Sequence, residues 1–184
     1  PNNNGFTFAT DSESAAYIAD LNSNAQWLDI RSTWSFTSYV LETDLPESNL
    51  MLEAGAGAVT IDGAMGASKA LGDLVINSTG ATTLSGAVTA ASVTTNSGGT
   101  IQVDGGQVTT TGAQSHGQAM MLGADTTFSA NNFSAAAINM SGYDLTVDDS
   151  GTGSIGGVVS GSGSAFVKEG AGTLILSGGN TYTG

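Results

Sequence analysis

The densest group of side chains with chemical capability in this sequence of 184 residues is acidic. Asp144, Asp148 and Asp149 lie close together, and Asp125 precedes them. Carboxylate oxygens are ligands that Ca²⁺ prefers, so the first three are candidate calcium ligands. Their spacing matches neither an EF-hand loop nor the Gly-Gly-x-Gly-x-Asp nonapeptide. A solvated acidic turn is therefore the favoured interpretation, and no other cofactor is expected.

Paired carboxylates would also suit cleavage of a polysaccharide, because two acids about 5–9 Å apart can act on a glycosidic bond. A lyase would in addition place a basic residue beside the proton that is removed. The basic residues Arg31, Lys69 and Lys168 are isolated from one another in the sequence. We therefore predict that the chain is not an enzyme and has no catalytic residues, and keep a polysaccharide-degrading β-helix enzyme as the less favoured alternative.

Residues 151–156 spell Gly-x-Gly-x-x-Gly. A dinucleotide site needs this phrase between a strand and a helix, with the pyrophosphate on the helix N-terminus. The residues that follow, 157–161, instead predict another strand and turn. In a chain with 27 glycines such a match is expected by chance.

His116 is the single histidine of the chain. Nucleophilic triads and zinc sites both require a histidine with defined partners. A lone histidine beside Ser115 supplies no such set, so we interpret His116 as an exposed turn residue.

The charge of the chain is strongly acidic, with 3 basic residues against 16 acidic ones and a net charge of −13. Phosphate neutralisation needs clusters of Lys and Arg, so nucleic-acid binding is excluded as a function. The absence of cysteine excludes disulfides and thiolate chemistry. No apolar run approaches the roughly 18 residues of a membrane helix, so no membrane-spanning segment is predicted.

Residues 1–49 differ from the rest because they are rich in aromatic side chains and contain both prolines. Thr10–Glu13 forms a Thr-x-x-Glu capping box, which predicts a short helix ending near residue 22. Alternation around Trp34 and Phe36 predicts one or two strands. We predict that this segment caps, or is inserted into, the β-solenoid that residues 50–184 are expected to form, with Trp27, Trp34 and Phe36 buried against its first coils.

From residue 50 onward, short β-branched runs alternate with turns that contain Gly, Asn or Asp. Strands of three to five residues, about 7–12 residues apart, indicate an all-β fold. A sandwich would need longer strands and hairpin turns, whereas recurring phrases such as GAVTI and GAVTA favour stacked coils. The prediction for residues 50–184 is a right-handed parallel β-helix (a β-solenoid), with about 20–24 residues in each coil and strands about 4.8 Å apart. Its strands are predicted at residues 58–61, 74–76, 82–84, 92–95, 100–103, 107–110, 126–128, 144–147, 165–167 and 173–176.

The C-terminal residues 163–184 read GSAFVKEGAGTLILSGGNTYTG. They resemble the repeat associated with autotransporter passenger domains, Lys-x-Gly-x-Gly-Thr-Leu-x-Leu-Ser-Gly-x-Asn-Thr-Tyr-x-Gly, and match it at every defined position. Residues 72–99 and 108–130 are similar to repeats of large haemagglutinin-like exoproteins, from which they depart at Ser115–His116 and Met120–Met121. The resemblance implies a β-helical passenger that is exported across the outer membrane and displayed or released.

Within this repeat, alternation predicts that Leu174 and Leu176 face inward. Asn180 is expected to bond the backbone at a bend of the coil. Glycines are expected at corners where φ is positive. The corner glycines of the repeat are Gly170, Gly172, Gly178 and Gly179.

Together these features predict a non-catalytic structural or adhesive segment of a secreted or surface-displayed passenger of a Gram-negative bacterium, serving adhesion, biofilm formation or as a cell-surface stalk. The expected partner is a host or bacterial surface receptor or a glycan. The alternative is a subunit of an extracellular fibre or matrix, built by self-association of solenoid ends. We expect the chain to be part of a longer protein, in which the open edge of the last coil is continued by further repeats or docks onto a neighbour.

Overall fold

The computed structural model describes residues 48–96 and 98–184 in full, and before them the backbone of residues 26–29 and 34–36. The described residues form strands and turns and contain no helix. In chain order the strands are β1 (Gln26–Asp29), β2 (Trp34–Phe36), β3 (Leu50–Gly55), β4 (Val59–Ile61), β5 (Leu71–Ser78), β6 (Ala81–Leu84), β7 (Val88–Thr95), β8 (Thr100–Val103), β9 (Gln107–Thr110), β10 (Gln114–Leu122), β11 (Thr126–Ala130), β12 (Phe133–Asn139), β13 (Leu145–Asp149), β14 (Thr152–Ile155), β15 (Val159–Ser160), β16 (Phe166–Glu169) and β17 (Thr173–Leu176).

All the described strands pair in parallel with strands of the neighbouring coils, and the pairings define three faces. The first face contains β1, β3, β5, β7, the start of β10 and of β12, β14 and β17. The second contains β2, β4, β6, β8, the ends of β10 and β12, and β15. The third contains the start of β7, then β9, β11, β13 and β16. The predicted parallel β-solenoid is therefore confirmed, with about six turns.

The length of a coil can be measured from hydrogen bonds that join equivalent positions of adjacent coils. The backbone N–H of Asp73 donates a hydrogen bond to Asn49 Oδ1, 24 residues earlier in the chain. The hydroxyl of Ser92 donates to Asp73 Oδ1, 19 residues earlier. Later bonds span 20 and 21 residues. The spans of 20, 21 and 24 residues agree with the predicted coil length, and the coil between Asp73 and Ser92 is one residue shorter than predicted.

The core lies inside the coils, because successive side chains of a strand point to opposite faces. In β11, Phe128 and Ala130 are buried while Thr127 and Ser129 face outward. Parallel in-register pairing then places like residues above one another. Val108, Phe128 and Val147 form one such inward column on the third face. The hydroxyl-rich outer surface follows from the same alternation.

Five of the described strands are longer than the three to five residues that the sequence predicts, and β3 and β12 have 6 and 7 residues. The strands β5 and β7 have 8 residues each, and β10 has 9. In β10, Gln114–His116 pairs with β7, whereas Ala119–Leu122 pairs with β8 after a shift of register. The strand β10 thus continues around a corner of the coil, so that its start lies on the first face and its end on the second.

The stack begins before residue 50. The strands β1 and β2 pair with β3 and β4, so the strand predicted around Trp34 and Phe36 is confirmed. The predicted helix after Thr10 lies outside the described residues. So do the side chains of Trp27, Trp34 and Phe36, and the capping role therefore stays a prediction.

Candidate functional site

The structure separates the three candidate calcium ligands. Asp144 is exposed in the turn before β13, and Asp148 and Asp149 point to opposite faces of that strand. Asp149 is fully buried. Within residues 48–96 and 98–184, no group of three acidic or histidine side chains is placed to hold a metal ion.

Asp149 instead binds backbone N–H groups of two coils. Its Oδ1 accepts hydrogen bonds from the N–H of Asn132 at 2.8 Å and of Gly151 at 3.1 Å. Its Oδ2 lies 3.4 Å from the backbone nitrogen of Phe133, which donates to it. A carboxylate that accepts several backbone N–H groups is a strong acceptor in a dry interior. Asp149 therefore joins the two coils at this corner.

The exposed aspartates have a related structural role. The N–H of Asp144 donates to Asp125 Oδ1 at 2.9 Å, and the N–H of Ala165 donates to Asp144 Oδ1 at 2.7 Å. Asn180 follows the same pattern, since its Oδ1 accepts the N–H of Val159 at 2.8 Å. The predicted role of Asn180 at a bend is confirmed. These oxygens satisfy backbone donors where the strand pairing is interrupted.

The different environments of Asp149 and Asp148 give a testable contrast. Replacing Asp149 with alanine leaves buried N–H groups without an acceptor and is expected to lower the free energy of unfolding by about 2 kcal/mol. Asp148→Ala, one residue away on the outer face, is the matched control and is expected to change it by less than about 0.5 kcal/mol. Urea unfolding of both variants measures the difference. Equal losses would contradict the assigned role, and calcium titration of both would show whether either carboxylate binds the ion.

Lys168 caps carbonyl groups of two successive turns. In the parallel pairing of β16 with β13, Lys168 is the register partner of Val147, whose side chain is buried in the core. Its Nζ donates to the carbonyl oxygens of Asp149 at 3.1 Å and Gly170 at 3.2 Å, and also to that of Glu169. The aliphatic part of a lysine can cover apolar surface while its ammonium reaches polar groups. These contacts give Lys168 a structural role.

The Gly-x-Gly-x-x-Gly phrase is also structural. Its residues include the whole of β14, and the next element is the strand β15, without an intervening helix. A Cβ atom on Gly153 would lie 2.3 Å from Asp149 Oδ2 and 2.7 Å from the carbonyl oxygen of Phe133. Gly153 is therefore needed for the close packing of this corner.

The corner glycines of the C-terminal repeat act mainly by close approach. Gly170 has the expected positive φ of 74°, whereas Gly172, Gly178 and Gly179 do not have positive φ. A Cβ atom on Gly178 would lie 2.1 Å from the carbonyl oxygen of Gly157 in the coil below. At Gly178 the backbones of adjacent coils leave no room for a side chain. The inward orientation predicted for Leu174 and Leu176 is confirmed, since both are partly buried against the core.

The interpretation of His116 as an exposed turn residue is wrong. His116 lies within β10 and is 2% exposed. Its ring packs beside those of Phe128 and Phe133, with centroid distances of 5.6 and 5.9 Å. Burial lowers the pKa of His116 to about 4, so the ring is neutral at pH 7.

Two glutamines flank His116 at inward positions that sequence reasoning missed. Gln114 Nε2 donates to the carbonyls of Val108 and Ser129, both at 2.9 Å. Gln118 Nε2 donates to the carbonyl of Ser78 at 2.8 Å. The spacing of two between Gln114, His116 and Gln118 was the available signal, because alternate residues of a strand share a face.

The outer faces offer mainly hydroxyl groups to any partner. Thr94, Ser115, Ser134 and Ser154 align in register along the first face. The larger exposed apolar side chains are spread over different faces and a turn, namely Met121, Tyr143, Val158, Val167 and Ile175. Because they are spread in this way, these five side chains do not form one apolar patch.

Residues 166–184 match the family described as passenger-associated-transport-repeat. This repeat and the parallel solenoid fit a passenger domain of an autotransporter. The family suggests a secreted or surface protein of a Gram-negative bacterium. No curated protein and no solved structure matches the chain. In the described part of the chain, no helix has the length and apolar character needed to cross a membrane.

Proposed function

We propose that this chain is a rigid, non-catalytic spacer of a bacterial surface passenger, which serves adhesion by holding binding surfaces away from the cell. The observation that carries the proposal is the parallel pairing that links the described strands from β1 to β17. Each coil is fixed to the next by strand pairing, and the coil corners by side-chain acceptors such as Asp149 and Asn180. A stack of this kind has few internal joints at which it could bend.

The chemistry of the described residues supports a structural role. Acidic residues that could serve catalysis accept backbone N–H groups instead, as Asp144 and Asp149 do. Lys168 donates to backbone carbonyls. The outer faces carry hydroxyls and carboxylates, which suit polar contacts with a surface receptor or a glycan. In this proposal adhesion uses these outer faces, and the coils supply the spacing.

A rigid spacer should have a fixed length that changes in steps of one coil. Val75 and Ile175 lie on the first face, joined by the register of β5, β7, β10, β12, β14 and β17. Spin labels on Val75→Cys and Ile175→Cys are expected about 24 Å apart at the backbone, because strands are about 4.8 Å apart. The chain contains no other cysteine, so the labels are specific. Electron paramagnetic resonance should give a narrow distance distribution.

Deleting residues 89–108 from the labelled chain tests the step directly. Val88 and Val108 are register partners, so the deletion removes one whole coil. The labelled distance should shorten by about 4.8 Å and stay narrow. Deleting residues 89–100 removes fewer residues but joins the third face to the second, and it should broaden the distribution. A broad distribution in the intact chain would overturn the rigid spacer.

Adhesion needs a separate measurement. Bacteria that display the intact passenger should bind host cells, other bacteria or a glycan array more strongly than bacteria that lack it. Removal of whole coils should lower this binding without loss of display. Turnover of a polysaccharide by the purified chain would instead favour the enzyme alternative.

A further inference from the structure

The interior of the solenoid contains a polar group at the coil formed by β10. Gln114 and His116 are inward neighbours, and His116 Nε2 lies 3.4 Å from Gln114 Oε1. The other ring nitrogen, Nδ1, has no hydrogen-bond partner. Thr95, the register partner of His116 in the coil below, also has a buried hydroxyl without a partner. The polar atoms around His116 are thus only partly satisfied.

The strands around His116 offer no counter-charge. Those that contact His116 are β7, β11 and β12, and neither they nor the nearby β8 and β9 contain Asp, Glu, Lys or Arg. In β10 itself, His116 is the only titratable residue. The carboxylate of Asp149, which reaches the backbone of Phe133, already accepts N–H groups there. An imidazolium at His116 would therefore be buried against two phenyl rings without an acidic partner.

We propose that the coil containing His116 is a proton-sensitive opening point of the solenoid, at which uptake of a single proton by the imidazole separates β10 from its neighbours. The two-state element is the strand pairing of β10 with β7 and β12. In the closed state the ring is neutral and packed against Phe128 and Phe133. In the open state the ring reaches water, where the charged form is well solvated.

The direction of the pH effect follows from proton linkage. Burial lowers the pKa of His116 from 6.5 to about 4. Between these values the open state binds more protons than the closed state, so stability falls as the pH decreases. Above pH 6.5 the effect is absent. At pH 5 the opening constant is expected to be about 30-fold larger than at pH 8 from this residue alone.

The test compares the whole chain with His116→Leu and His116→Gln, neither of which can titrate at this position. Urea unfolding is measured at pH 8, 6.5 and 5, so that the effect of the carboxylates cancels in the comparison. The ratio of the unfolding constants of the native chain and each variant should change about 30-fold between pH 8 and pH 5. If one variant fails to fold, the other still supplies the comparison.

Two further measurements locate the effect. Because the chain has a single histidine, its ring resonance in NMR reports the protonation of His116 without assignment. It should titrate well below pH 6.5 in the folded chain and near 6.5 in urea. Hydrogen exchange at pH 5 should show protection lost in β10 before β3 and β4. The proposal is overturned by a constant ratio, by a folded-state titration near 6.5, or by equal loss of protection in all strands.

Discussion

Replacing Phe128 with alanine is expected to lower the free energy of unfolding by about 4 kcal/mol, through loss of apolar burial and formation of a cavity. Phe128 is fully buried and is stacked in register between Val108 and Val147. Its ring lies 5.0 Å from that of Phe133. Parallel coils cannot move closer locally without disturbing the pairing on the other faces, so the cavity should remain largely open. Urea unfolding measures the loss.

Phe166→Ala is the matched control, because it removes the same side chain from a partly buried position in β16. The expected loss there is less than half of that at Phe128, since less apolar area leaves water on folding. Equal losses at both positions would show that the core is not organised around Phe128 as described.

Replacing Gly105 with alanine is expected to cost about 3 kcal/mol, because the added methyl group has no space. The new Cβ would lie 2.2 Å from the main-chain carbon and oxygen of Gly86. Gly86 itself approaches the coil below in the same way, because a Cβ atom on Gly86 would lie 2.4 Å from the carbonyl carbon of Gly63. The backbones of three coils therefore meet at this corner, and a shift in one must be transmitted to the next.

Gly156→Ala is the control for this steric argument. Gly156 also lies at a coil corner, but a Cβ there would meet no atom within 4 Å, and its φ is not positive. This substitution should change the free energy of unfolding by less than about 0.5 kcal/mol. Thermal unfolding of the two variants, followed by circular dichroism, distinguishes them. A small effect at Gly105 would mean that the corner is wider than its geometry indicates.

Together these contrasts concern how the coils are joined, which is also the basis of the proposed spacer. The glycine corners and the Asp149 contacts both act between coils, so their loss should propagate along the stack. The coil at His116 is different, because its proposed opening depends on pH and not on the loss of a contact between coils. A surface passenger built this way would be stiff near neutral pH and would open first at one coil in acid.

The sequence by itself determined the fold class and most of the strand positions. Alternation in runs such as Thr126–Phe128 and Thr173–Leu176 marks inward and outward residues, because the period of a strand is two. The repeat phrases indicated stacking, and the family resemblance at the C-terminal end agreed with them. The orientation of Leu174 and Leu176 and the role of Asn180 followed from these local rules.

Tertiary structure alone decided which polar residues are inside. His116, Gln114 and Asp149 are of residue types common in turns and on outer faces. Alternation can group such residues on one face of a strand, but it does not show that this face is the inner one. Their burial depends on the coils above and below, which supply aromatic rings to His116 and backbone donors to Asp149. Likewise, the need for glycine at Gly105 arises from a backbone 19 residues away, at Gly86. Local patterns describe one strand, whereas these features belong to contacts between successive coils.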